Sequence, residues 1–172
     1  YAGTGKTTLL GTLIKNLWHI RKKAILMAPT GRAAKVMSSY TGAKAHTIHR
    51  QIYFPRKDRS GGVKFTLAPN RHRNTVFIVD EASMIPDTPT DAAEKQRSSL
   101  LDDLMTFVSS GHKCQLMLIG DTAQLPPVKL SLSPALDADR LGLQYGKTVI
   151  TIELDEVMRQ TRDSGILMNA TK

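Results

Sequence analysis

Four short apolar runs, spread along the chain, constrain its fold more than any other feature. None of them alternates between polar and apolar side chains, and they span residues 24–27, 76–79, 115–119 and 149–152. Mostly apolar runs of this length without strict alternation are typical of strands that are buried on both faces, as in parallel sheets. The sequence therefore predicts four buried strands in one sheet.

Helical patterns lie between the predicted strands. Apolar residues recur at helix spacing from Leu9 to Leu17, and a second helix is predicted over residues 31–39. A third begins near Ser99, where Asp102 would complete a capping box, and is ended by Gly111. Strands that alternate with helices indicate an α/β domain with a parallel sheet.

Two polar stretches interrupt this alternation. Residues 51–74 are basic and polar around Ser60-Gly61-Gly62, and the flanking segments 52–54 and 63–67 can pair with each other. We therefore predict a small inserted β-hairpin over residues 51–69. The second stretch, residues 86–97, is predicted to be a polar loop.

The charge of the chain points to a polyanionic partner. Its 172 residues fit one domain, and 24 Lys plus Arg against 15 Asp plus Glu give a net charge of +9. Nucleic acid is the commonest polyanion, although a basic surface kept for solubility is the alternative. Cys114, the only cysteine, is interpreted as a core residue. With no disulfide, signal peptide or membrane span in view, we expect a cytoplasmic setting.

A phosphate-binding loop opens the chain. The sequence matches the end of the pattern G-x-x-x-x-G-K-[ST], with the first glycine and the preceding strand expected before Tyr1. Lys6 would contact the β- and γ-phosphates of ATP, and the Thr7 hydroxyl would hold Mg²⁺. The alternative is a chance turn. The predicted nucleotide-binding residues are Gly3, Thr4, Gly5, Lys6, Thr7 and Thr8.

An acidic pair follows the second apolar run directly. Asp80 and Glu81 stand at the tip of a predicted buried strand, where negative charge is costly unless a cation meets it. Asp80 would coordinate Mg²⁺ beside the phosphate loop, and Glu81 would polarise the attacking water. The alternative is a solvated turn after the strand.

Several segments resemble RecD-type helicases of superfamily 1, which are similar to the exodeoxyribonuclease V alpha subunit. Asp80-Glu81-Ala82-Ser83-Met84 resembles their second motif. Residues 28–34 are similar to their motif Ia, and residues 47–50 to the segment that follows motif Ia. Residues 120–128 are similar to motif III, and residues 154–160 to motif IV. These matches occur in the family's order and span nearly the whole chain. The resemblance implies a P-loop NTPase fold of the RecA-like, doubly wound type.

The resemblance also implies an activity: an ATP-dependent DNA helicase that moves 5′ to 3′ on single-stranded DNA in repair or recombination. Gln124 is neutral, so it can contact both the γ-phosphate and the attacking water, whereas the alternative is a plain loop residue. Arg159 would place positive charge on the γ-phosphate, although it can also be a surface arginine beside Glu156. Together with Lys6 and Glu81 they form the predicted catalytic set.

The DNA contacts are predicted on the second helix and the segment after it. Thr30 can cap the helix that begins at Gly31, and a helix N-terminus attracts anions, which in this family are DNA phosphates. Arg32, Lys35, His49 and Arg50 would add further contacts, unless they are ordinary solvated charges.

The chain is expected to be a first RecA-like motor domain over residues 1–172, beginning within the phosphate loop. A second motor domain would complete the ATP site, the DNA partner would be a single strand or a junction, and any nuclease partner is unspecified. Alone, the chain is expected to fold but unwind nothing. Two other functions stay open: a P-loop ATPase or kinase uncoupled from nucleic acid, and a binding fragment without turnover.

Overall fold

The computed structural model describes residues 5–57, 61–86, 98–121 and 133–154. Its helices are α1 (Lys6–Asn16), α2 (Gly31–Thr41), α3 (Ile48–Ile52), α4 (Leu100–Ser109) and α5 (Ala138–Tyr145). Its strands are β1 (Lys23–Ala28), β2 (Ala45–Thr47), β3 (Tyr53–Lys57), β4 (Val63–Leu67), β5 (Thr75–Val79) and β6 (Gln115–Leu118). Short 3₁₀ turns cover Leu17–Ile20, Ala82–Met84 and Pro134–Leu136.

A parallel sheet forms the centre of the domain, in the order β2-β1-β5-β6. In β1, Leu26 is in register with Ile78 of β5 on one side and with Ala45 of β2 on the other. All five residues of β5 are buried, as expected for a central strand whose sequence is apolar from Val76 to Val79. Three of the four predicted strands, and the parallel α/β architecture, are confirmed.

Helices cover both faces of this sheet. Phe77 and Val79 of β5 belong to a core cluster with Leu104 of α4. The alternate residue Ile78 points to the opposite face, where a second cluster contains Leu10 of α1 and Met37 of α2. Because successive side chains of a strand point to opposite faces, these two clusters define a doubly wound sheet.

Helix α4 begins with the predicted capping box. The Ser99 hydroxyl accepts from the Asp102 backbone N–H, and Asp102 accepts from the Ser99 backbone N–H. Asp102 also accepts hydrogen bonds from the Tyr145 hydroxyl, 2.7 Å away, and from the Gln144 side-chain amide. The start of α4 therefore also holds the end of α5 in place.

The predicted inserted hairpin is present as β3 and β4. The strands pair antiparallel from Tyr53 opposite Leu67 to Lys57 opposite Val63. Alternation along the strands places Tyr53 and Phe65 on one face, whereas Phe54 lies on the other. The Tyr53 hydroxyl donates to Asp103 of α4, so the base of the hairpin is tied to the domain.

Residues 149–152 were expected to form a buried strand, and this prediction is wrong. They have no strand structure, and Ile150 and Ile152 are 83% and 81% exposed. β-branched residues favour a strand only where a neighbouring strand supplies hydrogen bonds and packing, and no described strand pairs with this segment. Cys114 also differs from the core position expected for it, because it is only partly buried, just before β6.

Candidate nucleotide and nucleic-acid site

Four predicted site segments lie at one edge of the sheet. Asp80 follows β5 and Gly120 lies two residues beyond β6, while α2 begins shortly after β1 and α3 directly after β2. The carboxyl ends of all parallel strands meet at the same edge, which is where open α/β sheets bind their ligands. The fold thus assembles segments that are far apart in the sequence.

The start of α1 has two features that suit phosphate binding. Gly5, at the N-cap, has φ 80° and ψ 9°, a left-handed conformation that glycine adopts without steric cost. No acidic residue occupies the first turn, and Thr7 and Thr8 follow within it. The N-terminus of this helix therefore presents the positive end of its dipole without a carboxylate in its own first turn.

The side chain of Lys6 reaches across to the tip of β6. Its Nζ donates to the Gly120 carbonyl oxygen over 3.4 Å and lies 3.8 Å from Asp121 Oδ2. The Asp121 side chain is only 7% exposed. The lysine of the phosphate loop and the start of the segment similar to motif III, 114 residues apart in the sequence, are therefore in direct contact.

Asp80 is held by donors on both of its carboxylate oxygens. Oδ2 accepts from the Tyr40 hydroxyl over 2.6 Å, and Oδ1 accepts from the Glu81 backbone N–H over 2.9 Å. Burial, followed by the hydrogen bond to Asp80 and the charges of Asp80 and Glu81, raises the pKa of Tyr40 above its usual range. The phenol therefore stays protonated and remains a donor.

Glu81 adopts an unusual backbone conformation at the strand tip. Its φ of 55° and ψ of 37° are left-handed, which is uncommon for a residue other than glycine and costs about 1–3 kcal/mol. The turn is held because the Ala82 N–H donates to Ile119 O and the Ile119 N–H donates to Val79 O, each over 2.8 Å. Strain of this kind is concentrated at functional sites.

The side chains present fit ATP with Mg²⁺. Asp80, Glu81 and Thr7 offer hard oxygen ligands, and Lys6 offers a cation beside a helix N-terminus. Within the described ranges, no group of three or more His, Cys, Asp or Glu residues is placed to hold a metal ion by itself. Mg²⁺ suits such a site, because proteins bind it through one or two carboxylates together with substrate phosphates.

The predicted DNA-contacting residues are exposed along α2 and α3. Thr30 caps α2, where its Oγ1 accepts from the Ala33 N–H over 3.2 Å, and Arg32 and Lys35 project from the same helix. His49 and Arg50 are exposed on α3. Partial burial, and then the positive charges of Arg50 and Lys44, lower the pKa of His46 between the two helices. The positive charges of Arg50 and Lys44 therefore act on the segment between α2 and α3.

Four predicted site residues lie outside the described ranges: Gly3, Thr4, Gln124 and Arg159. Sequence reasoning missed two residues that the structure brings to the site, Tyr40 and Asp121. Asp121 stands in the segment similar to motif III, but no role was predicted for it. The only signal for Tyr40 was its place on a helix whose other face is apolar.

This fold and site define a nucleotide-binding α/β domain of the P-loop class. The chain belongs to the AAA domain family, which matches residues 1–130. It is 32% identical over 169 residues to the ATP-dependent RecD2 DNA helicase of Deinococcus radiodurans, covering 98% of this chain and 20% of that protein. The resemblance to the first motor domain of superfamily 1 helicases is thereby confirmed.

Two further relatives are similar to most of the chain. The chain is 31% identical over 131 residues to the ATP-dependent DNA helicase dda of Enterobacteria phage T4, covering 74% of this chain and 27% of that protein. It is 28% identical over 160 residues to the conjugal transfer protein TraA of Rhizobium radiobacter, covering 92% and 12%. The chain therefore spans about a quarter or less of these curated relatives.

Within the described ranges, no helix has both the length and the apolar character needed to cross a bilayer.

Proposed function

We propose that this chain is the ATP-hydrolysing first motor domain of a DNA helicase that acts on single-stranded DNA. One observation carries the proposal. A phosphate-loop lysine, an acidic pair whose second residue has a left-handed backbone, and an exposed basic surface share the carboxyl edge of one sheet. A motor that couples nucleotide hydrolysis to movement on DNA needs its two sites joined by rigid elements, and β1, β2 and β5 are such elements here.

In the nucleotide site, Gly3, Thr4 and Gly5 would surround the phosphates with backbone N–H groups, and Lys6 would contact the β- and γ-phosphates. Thr7 and Asp80 would hold Mg²⁺, which when bound neutralises phosphate charge. Glu81 would take a proton from the attacking water. The left-handed backbone of Glu81 is held by the hydrogen bond from the Ala82 N–H to the Ile119 carbonyl oxygen. This supports a role in which the carboxylate must point in a defined direction.

Gln124 and Arg159 complete the proposed catalytic set. Asp121 is the described residue nearest to Gln124 in the sequence, and it lies beside Lys6. This contact supports placing Gln124 close to the γ-phosphate, where a neutral side chain can bond both the phosphate and the attacking water. Arg159 would stabilise the charge that develops on the γ-phosphate.

On the DNA side, the N-terminus of α2 at Thr30 would bind a backbone phosphate, with Arg32 and Lys35 on the same helix and His49 and Arg50 on α3. The lowered pKa of His46, caused by partial burial and by Arg50 and Lys44, supports a positive potential at this corner. Phosphate contacts of this kind are independent of base sequence and weaken as salt is added. The proposed substrate is therefore single-stranded DNA or a junction that exposes it.

The finer parts of the proposal rest on resemblance and on the names of the relatives. A RecD2 DNA helicase and a phage DNA helicase support movement on DNA, and the RecD-type resemblance implies 5′ to 3′ polarity and a role in repair or recombination. A second RecA-like domain would close over the ATP site, and the setting would be the bacterial cytoplasm or nucleoid. Any nuclease partner is left unspecified.

The test is ATP hydrolysis by the full-length protein with and without a thymidine oligonucleotide. A rise of at least tenfold in turnover on adding the oligonucleotide supports the proposal. Such a rise corresponds to a decrease of about 1.4 kcal/mol in the activation free energy. Turnover that ignores DNA would instead indicate an uncoupled ATPase or kinase. Nucleotide binding without turnover would indicate a binding fragment.

A further inference from the structure

Tyr40 joins helix α2 to the carboxylate that would hold Mg²⁺. Its hydroxyl donates to Asp80 Oδ2 over 2.6 Å, while the Glu81 backbone N–H donates to Oδ1 over 2.9 Å. Each carboxylate oxygen has two acceptor positions, so each keeps one for a metal ion or its water. With a donor on both oxygens, the plane of the Asp80 carboxylate is fixed.

The helix that carries Tyr40 is itself firmly anchored. Met37 is fully buried and Ala34 is 5% exposed, so one face of α2 is packed on the sheet. The Ser38 hydroxyl donates to Ala34 O and accepts from the Ala45 N–H of β2, each over 2.9 Å. The hydroxyl of Tyr40 is therefore held by a helix with little freedom to shift.

We propose that Tyr40 is a positioning residue that orients Asp80 for Mg²⁺. The inference rests on the proposed function, because it assumes that Asp80 holds the metal of an ATP site. Partners of metal-binding carboxylates set the orientation of the ligand, and their loss costs about 10- to 100-fold in metal affinity or activity. The same helix carries Arg32 and Lys35, so Tyr40 also ties the metal carboxylate to the proposed DNA surface.

The test replaces Tyr40 with Phe in the full-length protein, which removes the hydroxyl and keeps the ring. Binding of a fluorescent ADP analogue is titrated with MgCl₂ and measured separately in EDTA. The Mg²⁺ concentration for half-maximal binding should rise about tenfold in Tyr40→Phe, while binding in EDTA stays as in the parent protein. A packing defect would weaken nucleotide binding both with and without Mg²⁺, so it would not produce a change that is confined to Mg²⁺-dependent binding.

Tyr145→Phe is the matched control. It also removes a phenol hydroxyl bonded to a carboxylate, that of Asp102, which caps the start of α4 and has no proposed role in metal binding. Its Mg²⁺ titration should match the parent protein. The melting temperatures of both variants show whether each hydroxyl contributes to stability independently of any effect on the metal.

Each other result counts against the inference. An unchanged Mg²⁺ titration in Tyr40→Phe, with Mg²⁺-dependent binding in the parent, would make Tyr40 a packing residue and leave the proposed function intact. Equal weakening with and without Mg²⁺ would point to a general disturbance of α2. No Mg²⁺-dependent nucleotide binding in the parent protein would overturn both proposals.

Discussion

Lys6 Nζ lies 3.8 Å from Asp121 Oδ2, so the lysine of the phosphate loop is paired with a buried carboxylate at the tip of β6. The pair joins the first turn of α1 to the segment that would contain Gln124. In the proposed function, a change at the γ-phosphate would pass through Lys6 to the segment similar to motif III. This contact motivates the first two predictions.

Asp121→Asn should separate binding from turnover. The amide keeps the size of the side chain but loses the charge that aligns Lys6, so we expect kcat to fall about tenfold, or about 1.4 kcal/mol. The KM for ATP should stay level or fall, because a negative charge near the phosphates has been removed. Steady-state kinetics over a range of ATP concentrations measure both. A raised KM with unchanged kcat would contradict the positioning role of Asp121.

Lys6→Ala should abolish ATP hydrolysis while the fold is retained, because the cation that meets the β- and γ-phosphates is lost. Lys15→Ala is the matched control, since Lys15 is an exposed residue in the last turn of the same helix. Circular dichroism should be alike for both variants. Near-normal turnover in Lys6→Ala would rule out the phosphate-loop assignment.

Glu81→Gln should bind ATP as the parent protein does but hydrolyse it slower by at least about 100-fold, because general-base catalysis contributes this much or more. Glutamine tolerates the left-handed backbone no worse than glutamate, so the turn at the tip of β5 should survive. Equilibrium binding and single-turnover hydrolysis measure the two effects separately. Loss of binding and hydrolysis together would give Glu81 a structural role instead.

The hairpin should matter more for strand separation than for hydrolysis. Phe65 is 60% exposed on one face and Phe54 is 39% exposed on the other, beside the basic Arg56 and Lys64. Aromatic and basic side chains together can stack on bases and hold phosphates. Replacing residues 54–66 with a short Gly-Ser turn should therefore reduce unwinding by the full-length protein more than its DNA-stimulated hydrolysis.

The shortened hairpin retains Tyr53 and Leu67, which pack against the core. Tyr53 is not assigned a stacking role, because its hydroxyl donates a hydrogen bond to Asp103 and so belongs to the base of the hairpin. Equal losses of unwinding and hydrolysis would indicate a packing role for the hairpin. No loss of either would dismiss the prediction.

Asp102 should make stability depend on pH in the acid range. Burial alone would raise its pKa, but hydrogen bonds from Tyr145, Ser99 and Gln144 outweigh this effect and hold the pKa below 3.8. A carboxylate with a lowered pKa stabilises the fold above its unfolded-state pKa, and this contribution is lost as the pH falls through the folded-state value. Asp102→Asn should therefore lower the melting temperature at pH 7.

The difference between the two proteins should shrink once the pH falls below about 4, near the unfolded-state pKa of aspartate. At neutral pH we expect a loss of about 1 kcal/mol, typical of a capping interaction. Melting curves of both proteins from pH 7 to pH 3 measure it. A difference in melting temperature that stays constant down to pH 3 would contradict a stabilising role for the Asp102 charge.

The sequence predicted those parts of the fold whose signals are local. The strands β1, β5 and β6 are apolar runs, α4 begins with a capping box, and the hairpin flanks a Gly-Gly turn. The missed elements are short or polar: β2 has three residues, Ala45–Thr47, and α3 has five. The strand predicted at residues 149–152 is absent, because apolar composition alone does not show whether a neighbouring strand is available for pairing.

The candidate site also contains residues that local sequence signals could predict and residues that they could not. The motifs predicted roles for Lys6, Thr7, Asp80 and Glu81, because the pattern of the motif and the chemistry of the residue coincide there. The partners of these residues could not be predicted, since Tyr40 lies 40 residues from Asp80 in the sequence and Asp121 more than a hundred from Lys6. Only the folded sheet brings such pairs together.

The central claim is that nucleotide hydrolysis and DNA contact are coupled across one edge of the sheet. The most direct test measures how DNA stimulates the ATPase activity of two double variants. Arg32→Ala/Lys35→Ala removes two exposed charges from α2. Arg73→Ala/Lys113→Ala removes two exposed charges just before β5 and β6, at the opposite edge of the sheet. Both variants lose the same net charge, so a general electrostatic effect would be equal in the two.

The assay measures ATP turnover by the full-length protein over a range of concentrations of a thymidine oligonucleotide. The Arg32→Ala/Lys35→Ala variant should need about tenfold or more oligonucleotide for half-maximal stimulation, because two phosphate contacts are lost, while turnover without DNA stays the same. The Arg73→Ala/Lys113→Ala variant should respond as the parent protein does. Equal responses in the two variants, or a parent protein that DNA does not stimulate, would contradict the account.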